Sequence, residues 1–232
     1  MTQAQAGSRV HDRFGLLLLV LIFTYVLSAF AKRGTLINGL QVILFVAVML
    51  LALRNGRFRR RTMKWAVITL ALGSVGAITI ALVHPSDRAE GITNLWTALV
   101  LLFSAVLLVR EILSHPSVDL QSIFGAISAY MILGLMFAAL YTAMWRFGGS
   151  GTTFFAQGQV GSTQIFQYFS FTTLTTLGYG DFTAAGSVGR AVAVLEAMTG
   201  QIFLATLVAR LVTAFRGPRE QPPPGSSQPG GQ

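Results

Sequence analysis

The chain has 232 residues, of which 53% are hydrophobic and only 11% charged, less than half of the roughly 25% charge found in an average soluble domain. Its 17 Lys and Arg against 8 Asp and Glu leave a formal charge of +9. In a soluble protein that excess would suggest nucleic acid, but in so apolar a chain it first asks which side of a membrane the positive residues occupy. Cysteine is absent, which excludes disulfides, thiolate metal sites and a cysteine nucleophile.

A bilayer core of about 30 Å needs about 20 apolar residues as helix, because unpaired backbone groups cannot sit in hydrocarbon. Six stretches satisfy this: 14–31, 35–53, 65–83, 91–113, 118–145 and 186–215. The first also has signal-peptide features, with Arg9 and Arg13 ahead of it and Ala29-Phe30-Ala31 at its end. Its apolar run of about 18 residues exceeds the usual 7–15, so it is read as a helix that stays in the membrane. Between the second and third stretches lie Arg54, Arg57, Arg59, Arg60, Arg61 and Lys64. Positive loops face the cytoplasm, so six spans place both termini there, in a multi-pass protein of the cell (plasma or inner) membrane. With Arg9, Arg13, Arg110, Arg210, Arg216 and Arg219 this assigns twelve positive residues to the inside and five, Lys32, Arg33, Arg88, Arg146 and Arg190, to the outside. The basicity is then a matter of topology rather than nucleic-acid binding, and the same cluster suits anionic lipid headgroups. The third span gathers Ala71, Gly73, Ser74, Gly76 and Ala77, small residues that allow close helix packing.

Residues 146–185 are too polar to span and too aromatic for a plain loop. The part from 148 to 161, rich in Gly, Gln and Thr, reads as an exposed, flexible turret. Residues 162–174 predict about three helical turns, with Ser162 or Thr163 available as N-cap. Thr175-Thr176-Leu177-Gly178-Tyr179-Gly180-Asp181 follows, and then the last apolar span.

This succession of apolar span, polar turret, short helix, Thr176-Leu177-Gly178-Tyr179-Gly180-Asp181 and apolar span resembles the pore helix and selectivity filter of the tetrameric potassium channels, whose filter reads T-V-G-Y-G-D or T-I/L-G-Y-G-D. The resemblance implies an all-α membrane protein: six transmembrane helices, with a re-entrant pore helix and filter between helices five and six, assembled as a homotetramer. Its parts would be a cytoplasmic N-terminus (1–13), a four-helix unit in the voltage-sensor position (14–113), a pore domain (118–216) and a cytoplasmic tail (217–232) whose Pro, Gly, Ser and Gln read as disordered.

In such a filter, rings of backbone carbonyls replace the hydration shell of the ion, and four chains close each ring. The resemblance assigns K⁺ to the carbonyls of Thr176, Leu177, Gly178 and Tyr179, with the Thr176 hydroxyl completing the innermost site and Gly180 closing the set. Potassium is then the bound species, with no cofactor. To aim successive carbonyls at one axis, alternate residues take backbone angles that a Cβ disfavours, which Gly178 and Gly180 tolerate. Tyr179 would brace against Tyr168 and Phe169. Asp181 would sit at the outer mouth as a cation-attracting charge or a brace, supported by Thr175. Thr172 stands where some members carry a Glu that partners the mouth aspartate.

Two features of the last span follow from the same resemblance, a hinge glycine and a pore-lining face. Gly200 falls where the family often carries a hinge glycine, the other reading being a close helix-packing site. Gln201, Leu204, Val208 and Val212, spaced by three and four residues, share one helical face and would line the path and its gate. Glu196 lies deep in this span, where an ionisable residue usually faces protein or water. It is read as a tether to Thr172, Thr173 or Thr175 on the back of the pore helix, of the same or an adjacent chain, with a proton-linked gate as the alternative.

Six spans with one pore loop is also the layout of voltage-gated cation channels, but their sensor needs a positive residue at every third position of the fourth span. Here that span has only Arg110, at its cytoplasmic end. The sequence therefore predicts a passive potassium-selective channel that is not steeply voltage-gated; the alternatives are a less selective monovalent cation channel and a non-conducting regulatory subunit. An enzyme is not supported, since the sequence shows no nucleophile–base pair, metal cluster or phosphate loop.

Overall fold

The structure is a computed structural model that describes residues 13–30, 72–76, 79–80, 83, 86–114, 120–149 and 153–215. It contains five principal helices: α1 (Arg13–Phe30), α2 (Asp87–Ser114), α3 (Leu120–Phe147), α4 (Thr163–Leu174) and α5 (Ser187–Phe215). The predicted second span, the Arg54, Arg57, Arg59, Arg60, Arg61 and Lys64 cluster, most of the third span and the tail lie outside the described residues. Among the described residues, α2, α3 and the Ser187–Val212 part of α5 are long and apolar enough to cross a bilayer, while α1 has a shorter apolar stretch, Phe14–Ser28.

The predicted fourth span began four residues too late. Asp87, Arg88 and Glu90 look like loop, yet Ser86 caps a helix that already contains them, its Oγ accepting the Ala89 N–H at 3.2 Å. Asp87 and Glu90 occupy the first turn, where acidic side chains complement the positive end of the helix dipole. They have a second use. Arg146, at the end of α3, pairs with Asp87 at 2.7 Å and with Glu90 at 2.6 Å. α2 and α3 thus run antiparallel, and Ala98, Leu101, Ala105, Leu108 and Ile112 of α2 enter one core with Ala126, Ala129, Ile132 and Met136 of α3. Spacings of three and four residues put each set on one helical face.

α3 is the hub. α1 lies along it, Phe14 near Gly125 and Gly15 near Phe124, with Leu17, Leu21, Thr24 and Ser28 forming the buried stripe of α1. In lipid, apolar contact between helices gains no hydrophobic term over contact with acyl chains, so close fit and polar pairs decide the arrangement. Such pairs attach α1 to α4: Ser28 Oγ lies 2.5 Å from Gln167 Oε1, and Gln164 Nε2 donates to the Ser28 carbonyl at 3.1 Å. Tyr25 and Phe171 meet edge to face at 5.1 Å.

Most of the described turret residues are exposed, as the composition predicts, yet two of its side chains reach the core. Phe154 and Phe155 anchor it, Phe155 being fully buried. They pack with Phe166, Phe169 and Tyr141 at ring distances of 5.0 to 6.2 Å. An antiparallel bridge pairs Phe155 with Ala184, and the Ala156 N–H donates to the Thr183 carbonyl at 2.8 Å. Two adjacent aromatics outweigh the surrounding Gly, Gln and Thr.

Candidate functional site

α4 supports everything at the site. Ser162 is its N-cap, accepting the Ile165 N–H at 3.2 Å, so the predicted start holds to one residue. A helix ends with four carbonyls that lack helical partners, and here each has one. Phe171 O accepts from Thr175 N–H at 3.1 Å, and Thr173 O from Thr176 N–H at 2.9 Å. Thr172 O accepts from both Leu177 N–H, at 2.8 Å, and Gly178 N–H, at 3.1 Å. Leu174 O receives the Tyr130 hydroxyl of α3 at 3.0 Å. The segment 175–178 is therefore pinned by its backbone to the end of α4.

Beyond that anchor the backbone alternates. Thr176, Gly178 and Gly180 have φ values of 58°, 49° and 80°. The two glycines take left-handed angles without steric cost, whereas a β-branched residue rarely does. Thr176 is held there: its hydroxyl donates to Thr175 O at 2.7 Å and accepts from Gln201 Nε2 at 3.0 Å. Leu177 and Tyr179, between them, are exposed at 55% and 67%. Behind the loop a cavity of about 400 Å³ opens, lined by Thr172, Thr173, Tyr179, Phe182 and Arg190 among others.

The outer end is braced by Tyr168, whose hydroxyl donates to Asp181 Oδ2 at 2.8 Å. That bond holds the Tyr168 phenol above its ordinary pKa. The Tyr168 and Tyr179 rings stack with planes 5° apart at 6.4 Å. Phe169 turns the other way, into the core against Tyr141. Thr172 spends its hydroxyl on Phe169 O at 3.0 Å, and Thr175 on Phe171 O at 2.7 Å. Two residues that the sequence did not single out also reach the mouth. Gln157 Nε2 donates to Thr183 Oγ1 at 3.0 Å, and Gln159 Nε2 to the Asp181 carbonyl at 3.3 Å.

Glu196 is fully buried and does reach the back of α4, but not through the predicted threonines. Tyr141 Oη donates to Glu196 Oε2 at 2.6 Å, and Ser170 Oγ lies 2.5 Å from Oε1. Ser170 Oγ is also 2.7 Å from the Gly134 carbonyl. Thr172 and Thr175 instead donate to the Phe169 and Phe171 carbonyls, and Thr173 lines the cavity beside the loop. Carboxylate and hydroxyls together tie α3, α4 and α5.

Gly200 lies against the end of α4. A Cβ there would stand 2.1 Å from the Leu174 carbonyl oxygen, a backbone atom that cannot swing aside. The helices approach this closely only because the side chain is missing. Gly200→Ala is expected to lower the melting temperature of the purified protein by several degrees, matching an overpacking cost of about 1–3 kcal/mol; a bend point alone would leave melting unchanged. Gln201, Leu204, Val208 and Val212 are all exposed within the single chain.

Residues 126–217 match the ion channel family. No curated protein and no solved structure matches the chain. The ion channel match begins within α3, takes in α4 and the 175–181 loop, and ends just past α5. It is a family of ion channels, not of enzymes. The match covers less than half of the chain, and it and the apolar helices together point to a membrane protein.

Proposed function

We propose that the protein is a homotetrameric, potassium-selective channel, conducting K⁺ passively through four copies of the 176–180 loop. The observation that carries this reading is the alternation of left-handed backbone at Thr176, Gly178 and Gly180 within Thr-Leu-Gly-Tyr-Gly-Asp. Alternation turns successive carbonyls to one side of the strand, and a ring of four such strands supplies the oxygens that replace water around a dehydrated ion. On this reading the carbonyls of Thr176, Leu177, Gly178 and Tyr179 are the K⁺ ligands. Asp181 serves both as mouth charge and as brace through Tyr168.

Several exposed surfaces support assembly with further copies. Leu177 and Tyr179 leave most of their side chains exposed in one chain. α5 buries only a stripe through Gly189, Glu196 and Gly200, leaving Val188, Val194, Leu195, Met198 and Ile202 exposed. A fourfold ring covers part of this surface with neighbours and leaves Leu204, Val208 and Val212 on the path as an apolar gate. The remaining surface meets lipid of the cell membrane, with both termini cytoplasmic and the Arg54, Arg57, Arg59, Arg60, Arg61 and Lys64 loop at anionic headgroups.

The test is a planar-bilayer recording of purified protein in opposed K⁺ and Na⁺ gradients. Reversal near the potassium equilibrium potential supports the reading. Reversal midway supports the less selective cation channel, and absence of current supports a non-conducting subunit. In the same recordings, activation curves are expected to be shallow. α2 has basic residues only near its ends, Arg88 and Arg110, so the gating charge should fall well short of the three to four per subunit of a voltage sensor.

A further inference from the structure

We propose that Gln201 is a positioning residue for the innermost ion site, holding the Thr176 hydroxyl in the orientation that faces the ion. This rests on the channel reading above. Thr176 is the one non-glycine residue with positive φ among the described residues. At that φ the backbone of a β-branched residue is outside its preferred region, so contacts must hold the residue and its hydroxyl in place. The Gln201 carboxamide does so. Its Nε2 donates to Thr176 Oγ1 at 3.0 Å, while that hydroxyl donates onward to the Thr175 carbonyl at 2.7 Å.

The hydroxyl is thus fixed from both sides. Its proton is committed to Thr175 O and one lone pair to Gln201, which leaves the second lone pair free for a cation. Bonds in such a chain also polarise one another. Gln201 sits one residue beyond Gly200, which packs against Leu174 O. The backbone that carries the carboxamide is therefore itself located against the end of α4. Removing the donor leaves Thr176 free to rotate, and four oriented oxygens are lost from the cavity end of the filter. The upper rings, built from the carbonyls of Leu177, Gly178 and Tyr179, do not depend on it.

Barium is a divalent ion of nearly the size of potassium, and applied from the cytoplasmic side it probes this innermost site. Purified wild-type, Gln201→Leu and Gln201→Asn proteins are compared in planar bilayers for K⁺/Na⁺ reversal potential and cytoplasmic Ba²⁺ block. Leu keeps the volume without a donor; Asn keeps the amide but stops one methylene short. Both are expected to weaken Ba²⁺ block at least threefold with the K⁺/Na⁺ reversal potential unchanged, a separation that general loosening of the filter would not give. Block within threefold of wild type in a conducting variant overturns the proposal, and so does a parallel loss of K⁺/Na⁺ selectivity. If Gln201→Leu does not assemble, Gln201→Asn decides by the same criteria. Wild-type protein that carries no potassium current overturns the channel reading, and this inference with it, whereas conducting wild-type channels with an indifferent Gln201 overturn only the inference.

Discussion

Gly178→Ala protein reconstituted in liposomes is expected to carry less than a tenth of the wild-type potassium flux. Nothing lies within 4 Å of the Cβ that the substitution adds, so the effect is not a clash. It comes from the backbone, held at φ 49°, where a residue with a Cβ costs about 1–2 kcal/mol. In a fourfold ring the cost is paid at every copy, about 4–8 kcal/mol in all. The loop relaxes by turning the peptide, which takes carbonyls off the axis while α4 and its cap stay as they are. Unchanged circular dichroism with lost flux is therefore the expected pair of results. Flux within twofold of wild type would remove the backbone alternation as the basis of conduction.

The second large effect concerns stability. Glu196→Ala leaves the buried Tyr141 hydroxyl without its acceptor, removes one partner of Ser170 and opens a void between α3, α4 and α5. Each unsatisfied buried polar group costs about 1–3 kcal/mol, so a loss of about 2–4 kcal/mol per chain is expected, read as a fall in the denaturation midpoint of detergent-solubilised protein. Glu196→Gln is expected to cost less than about 1 kcal/mol. Its amide oxygen still accepts from Tyr141. Its NH₂ can donate to Ser170, which is then free to donate to the Gly134 carbonyl at 2.7 Å. Equal losses for Ala and Gln would show that the charge, not the hydrogen-bond pattern, holds the three helices.

These cases show where the sequence was informative. The short helix was placed almost to the residue, because its start depends on a local signal, the Ser162 cap. Gly178 and Gly180 of the 175–181 loop were legible because left-handed backbone has few other candidates. Glu196 was recognised as a buried anchor from chemistry alone, since a carboxyl in an apolar span needs partners. Which residues of α4 meet it depends on how that helix is rotated about its axis. Composition does not carry that information: Thr172, Thr173 and Ser170 are all hydroxyl residues, and only Ser170 faces Glu196. The anchoring of the turret by Phe154 and Phe155 was not legible, because small polar residues dominate its composition. Gln157 and Gln159 were missed because an exposed glutamine gives no local sign of a partner more than 20 residues away. Gln201 was placed on the path, but its bond to Thr176 depends on the register between α5 and the loop.

The attachment of α1 to α4 bears on the order in which the molecule is put together. Ser28 and Gln167 are separated by 139 positions. During synthesis α1 is made long before its partner exists, and chain closure over so many residues is slow compared with local helix formation. The polar groups of α1 are suited to that interval. Thr24 donates to the Val20 carbonyl and Ser28 to the Tyr25 carbonyl, each at 2.7 Å, so both hydroxyls are satisfied within the helix before α4 is made. α1 can therefore persist as an independent rod and dock late. When it does, Ser28 brings its hydroxyl to Gln167 and its carbonyl to Gln164, and a helix made early helps to fix the position of the short helix behind the 175–181 loop.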